Sequence, residues 1–119
     1  MRPKRHRIVK RQPKPPLSTP ALEIVAARFK VLADPTRLRL LQALEGGEKN
    51  VTQLVAETGG LQPSVSKHLA TLASAGMLGR RKTGLEVFYF IADETILKLC
   101  DLMCARLHKE FEQKAGHFS

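Results

Sequence analysis

The chain has 119 residues, 43% of them hydrophobic, with 20 Lys and Arg against 11 Asp and Glu, a formal charge of +9. That length gives one small domain with a modest core, which burial shared with a second copy would strengthen. No apolar stretch is long enough to cross a bilayer or act as a signal peptide, and two cysteines are too few for a disulfide scaffold; the expectation is a cytoplasmic protein with reduced thiols and no membrane partner.

The charge is unevenly placed. Arg2, Lys4, Arg5, Arg7, Lys10, Arg11 and Lys14 all precede the first acid, Glu23, so the other thirteen bases nearly balance the eleven acids. Pro3, Pro13, Pro15, Pro16 and Pro20 fall in the same stretch, where they remove backbone donors and resist helix. Residues 1–19 are therefore expected to be a disordered basic arm, 20–113 the folded domain, and 114–119 a flexible tail. The arm suits non-specific phosphate anchoring; the plainer reading is a solubilising tail.

The first helix begins at "STPALEIVAARFKVLA", with Ser18 or Thr19 as N-cap and Leu22, Val25, Phe29 and Leu32 at helical spacing. In "DPTRLRLLQALEGG" Asp34 caps a second helix, Leu38, Leu41 and Leu44 form its apolar face, and Gly46 and Gly47 stop it. Asn50 and Gln53 have capping-box spacing at the head of a short third helix, with Val51, Leu54 and Val55 turned inward and Gly59 at its end. A fourth helix over residues 62–75 carries Val65, Leu69 and Leu72 on one face, so the pair reads as a helix-turn-helix. "MLGRRKTGLEVFYFI" then has strand composition on both sides of a turn at Gly84, a β-hairpin. Asp93 caps a last helix over about residues 94–113 with an apolar stripe of Ile96, Leu99, Met103, Leu107 and Phe111. The fold class is mainly α with a small β-hairpin (α+β), a winged helix-turn-helix.

With Val65, Leu69 and Leu72 inward, a rotation of about 100° per residue puts Lys67 on the opposite side, with Ser64 and Thr71 beside it. Gln62, Ser64, Ser66, Lys67, His68 and Thr71 then offer short donors and acceptors to base edges or phosphates; the bland alternative is an ordinary polar helix face. Arg80, Arg81 and Lys82 on the hairpin suit phosphates or the minor groove, although basic edge strands also serve only to block aggregation.

"FKVLADPTRLRLLQAL", "LQPSVSKHLATLASAGML" and "VFYFIAD", in this order, resemble the ArsR/SmtB family of bacterial winged-helix repressors over residues 21 to about 107. The resemblance implies a homodimer formed through the first and last helices, with double-stranded DNA as partner, the fourth helix reading it and the hairpin as wing. Two-fold symmetry then calls for an inverted-repeat operator. The chain departs from the family at its metal sites. Where many relatives have "ELCVCDL", this sequence has "EKNVTQL", with Asn50 and Thr52 in place of both thiolates. The zinc-type ligands of other relatives align with Asp93, Thr95, Arg106 and Lys109, of which only the first is a ligand type.

The only cysteines, Cys100 and Cys104, lie four apart in the last helix, with His108 four further on. Side chains so spaced have Cβ atoms about 5 to 6 Å apart, too far for a disulfide but suited to chelation. The pair is a candidate sensor of a thiophilic metal or metalloid, or of a thiol oxidant; the alternative is core filling. No other cofactor is expected. A phosphate-cradling Gly loop and an HExxH segment are both missing and His68 has no nucleophile beside it, so the sequence does not read as an enzyme. The rival readings are a winged-helix regulator without small-molecule sensing and a winged-helix protein-interaction module.

Overall fold

A computed structural model describes residues 7–115. The arm bases Arg2, Lys4 and Arg5 and tail residues 116–119 lie outside the described residues. Residues 7–18 form neither helix nor strand. Helix α1 (Thr19–Leu32) starts where Ser18 Oγ accepts the Ala21 N–H, and α2 (Pro35–Ala43) where Asp34 Oδ1 accepts those of Thr36 and Arg37 at 2.8 and 3.1 Å. Each side chain satisfies helix-end donors that have no intrahelical partner. Strand β1 (Lys49–Asn50) leads into α3 (Val51–Thr58) through a complete capping box: the Gln53 N–H donates to Asn50 Oδ1, and the Asn50 N–H to Gln53 Oε1. Gly59, at φ 75°, ends α3 in the left-handed region that glycine enters without strain.

Helix α4 (Gln62–Ser74), strands β2 (Leu78–Thr83) and β3 (Glu86–Ile91), and helix α5 (Glu94–Ala115) complete the order. The strands pair antiparallel in the order β1-β3-β2, with Arg80 opposite Tyr89 and Arg81 opposite Phe88. Fold class and hairpin are as expected from the sequence. The two-residue β1 was not foreseen, because so short a strand carries no alternation.

The core lies among α2, α3, α4 and the base of the hairpin: Leu40, Leu41, Leu44, Leu54, Val65, Leu69, Leu72 and Met77 are almost entirely buried. Leu38, expected to face inward, is 41% exposed and Leu40 takes its place, because α3 and α4 pack on the Leu40 and Leu44 side of α2. The apolar stripes of the outer helices are also not covered as drawn from the sequence. Of α1 only Leu32 is buried and of α5 only Ile96, whereas Phe29 is 55% and Met103 70% exposed. Among the described residues no helix is long and apolar enough to cross a membrane.

Candidate nucleic-acid interface

Helix α4 is held from behind by Val65, Leu69 and Leu72, all fully buried, which fixes its other face toward solvent. Ser64 and Lys67 are exposed there, Gln62 is exposed as the first residue of the helix, and Ser66, His68 and Thr71 are half-buried. Leu61 at the N-cap supplies no side-chain acceptor, so first-turn N–H groups keep their capacity for a phosphate oxygen. The Thr71 hydroxyl donates to the Lys67 carbonyl at 3.1 Å, which leaves its lone pairs for an outside donor.

Two of the expected contacts are already engaged. His68 Nδ1 accepts a hydrogen bond from Arg37 Nε at 3.1 Å, so this side chain is held from α2 instead of reaching freely outward. In the hairpin, Arg81 Nε and Nη2 donate to the two carboxylate oxygens of Glu48, with a further bond from Nη1 to the Thr83 hydroxyl. The paired guanidinium holds the Glu48 carboxyl below its usual range and is itself held further in the charged form. Arg81 thus braces the wing against the segment before α3, while exposed Arg80 and Lys82 are better disposed for phosphates. Arg80 and Arg81 also stack over Tyr89 and Phe88 at 5.8 and 5.0 Å from the ring centroids. Sequence reasoning missed Arg37 and Glu48. Their partners lie 31 and 33 positions away, and the second becomes visible only once β1 and β2 are both registered on β3.

On the other side of the molecule Cys100 and Cys104 border an open apolar cleft of about 640 Å³ between α1, α2 and α5, with Phe29, Leu38 and Met103 among its walls. Both thiols are unpaired; Cys100 is half-buried against the core and Cys104 exposed. Burial pushes the Cys100 thiol up, and the negative charge of Cys104, Asp101 and Glu45 acts in the same direction. Among the described residues no cluster of three or more His, Cys, Asp or Glu converges as a metal centre. The positions aligned with the family's metal sites have other work: Asn50 caps α3, Asp93 Oδ1 accepts the Thr95 N–H, and Arg106 pairs with Glu110.

The family described as bacterial regulatory protein, arsR family, matches residues 34–78, from the cap of α2 to the first residue of β2. A probable mercury resistance operon repressor of Streptomyces lividans is 38% identical over 71% of the chain. The crystal structure of AntR, an antimony-specific transcriptional repressor, superposes with a TM-score of 0.75 and 36% identity, covering 87% of this chain and 93% of that one. The chain belongs to the arsR family. A homodimeric winged helix-turn-helix DNA-binding domain from Mycobacterium bovis, a possible ArsR-family regulator, matches with a TM-score of 0.72 and 30% identity over 83% of this chain and 92% of its own. This arsR-family chain covers 66% of the length of the Streptomyces relative, just under two thirds.

Proposed function

We propose that this arsR-family chain is a homodimeric transcriptional repressor that binds an inverted repeat in double-stranded DNA, with α4 in the major groove and the hairpin wing beside it. The observation that carries this reading is α4 itself: Ser64 and Lys67 stand exposed on a helix whose opposite face is locked into the core, with Gln62 exposed at its N-terminal end. A second copy has an evident seat, since α1 and α5 keep their apolar faces open, and the Mycobacterium bovis relative is a homodimer. Recovery of bound fragments from a genomic library tests the reading. A Gln62→Ala, Ser66→Ala double variant is expected to lose preference among sequences while keeping salt-sensitive binding; unchanged preference would show that another face reads the DNA.

The same reading extends to sensing. Cys100 and Cys104 take a soft metal or metalloid, or are oxidised, at the cleft that a partner subunit would approach, and the changed seam alters the spacing of the two α4 helices. Exposed Cys104 supports this over core filling, and two relatives carry mercury resistance and antimony specificity in their names. Binding must displace a proton from the raised Cys100 thiol, so affinity for a thiophilic ion should increase with pH. The test compares operator affinity of wild type and Cys100→Ser, Cys104→Ser with and without mercuric ion, arsenite, cadmium, peroxide and persulfide. A wild type indifferent to all of them returns the cysteines to packing.

A further inference from the structure

We infer that Arg37 and His68 form a positioning tie that fixes the recognition helix α4 relative to the end of α1, so that His68 sets where α4 lies instead of reading DNA. The inference rests on the proposed DNA reading for its functional consequence, but the tie itself is a property of the protein alone. From one half-buried side chain of α2, Arg37 Nε donates to His68 Nδ1 at 3.1 Å and Nη1 donates to the Val31 carbonyl at 3.2 Å. Its backbone N–H donates to Asp34 Oδ1 at 3.1 Å. One residue therefore joins the last turn of α1, the cap of α2 and the middle of α4, His68 being 31 positions away in sequence.

The chemistry makes this arrangement directional. A guanidinium has only donors and stays protonated, so His68 Nδ1 must be the bare acceptor and the ring proton must sit on Nε2. The Val31 carbonyl lies in the last turn of α1, where carbonyls lack intrahelical partners and the helix dipole favours a cation. Because the guanidinium is a rigid planar fork, its bonds to Val31 and His68 have a fixed relative direction, and sliding α4 against α1 breaks one of them. The leucines behind α4 bury area without specifying such a direction. Helix α1 also carries an open apolar face, so the tie is a polar link between the expected seam and the expected reading head.

Operator affinity of the full chain should fall about tenfold in Arg37→Ala and in His68→Ala, as for loss of one hydrogen bond with a charged donor, and the double variant should fall no further. His68→Asn should recover most of the loss, since its amide oxygen reaches the place of Nδ1; a merely space-filling histidine would show no such rescue. Nitrogen NMR of the protein without DNA should find His68 as the Nε2–H tautomer, giving way to a mixture in Arg37→Ala. Independent, additive losses, or a mixed tautomer in the wild type, would overturn the tie. A wild type with no sequence preference would sink the DNA reading instead, and the tautomer, measured without DNA, would still decide whether the tie exists.

Discussion

In α2, α3 and α4 the leucines other than Leu38 are gone from solvent, with Leu40, Leu54, Leu69 and Leu72 fully buried, whereas in α1 and α5 leucines at helical spacing largely stay out, Leu22 at 52% and Leu102 at 71% exposure. Both sets come from amphipathic patterns of the same kind. The difference is in packing and not in linker length, since α1 is joined to α2 by residues 33–34 alone. Helices α2, α3 and α4 pack on one another, so their faces close within one chain; α1 packs chiefly on α2, and most of its face, like that of α5, is left for a surface outside the chain. Apolar periodicity thus defines a face without naming what covers it.

The largest effect expected from this contrast is on folding. Leu69→Ala empties a fully buried site and should cost about 2–5 kcal/mol, a large part of the roughly 5–15 kcal/mol that holds a small domain. Leu102→Ala, on the open face of α5, should cost less than about 1 kcal/mol in the dilute chain. Urea unfolding followed by circular dichroism measures both. Equal midpoints would erase the distinction between the two regions.

A charge on the open face is the next test. Leu107→Glu should leave the helices formed but shift sedimentation from dimer to monomer, and operator affinity should drop on the order of 10²-fold as two linked half-sites become one. A variant that stays dimeric would mean that the seam lies elsewhere.

Legibility in the sequence divides along the same line. Local signals were sufficient for elements: Ser18, Asp34 and the Asn50–Gln53 box start their helices, and Gly59 and Gly84 turn the chain at φ 75° and 60°. Helical rotation also places Ser64 and Lys67 outside, because three buried residues fix the phase of α4, while Gln62 is exposed by its position in the first turn. What the sequence did not disclose is long-range pairing. Arg37 to His68 and Glu48 to Arg81 depend on how separate elements are laid together, and the positions of Leu38 and Leu40 depend on which side of α2 receives α3.

The arm sharpens the comparison from outside both regions. Arg7, Lys10, Arg11 and Lys14 lie in an exposed stretch without helix or strand, ending at the Ser18 cap. Deleting residues 1–17 keeps that cap and removes every arm cation. The slope of log affinity against log salt should fall by about 0.9 for each phosphate that the arm would otherwise neutralise, several units at most, with sequence preference kept. An unchanged slope would make the arm a solubilising tail.

The smallest effect separates the starts of α1 and α2. The Asp34 carboxyl is held below its ordinary value of 3.8, chiefly by the Arg37 N–H and also by that of Thr36, with the positive charge of Arg37 acting in the same sense against some desolvation. Since the folded group releases its proton more readily than the unfolded one, its contribution to stability is present in full above the unfolded value and is lost as pH falls through the still lower folded value. The cap of α1, a Ser18 hydroxyl, does not titrate in this range. Below pH 3.8, hydrogen exchange at the Thr36 and Arg37 amides should therefore lose protection while that at Ala21 does not. Asp34→Asn, which keeps the acceptor without the charge, should abolish the pH dependence at α2. Parallel loss at both helix starts would point to general acid loosening, and the inner region would then owe nothing special to its charged cap.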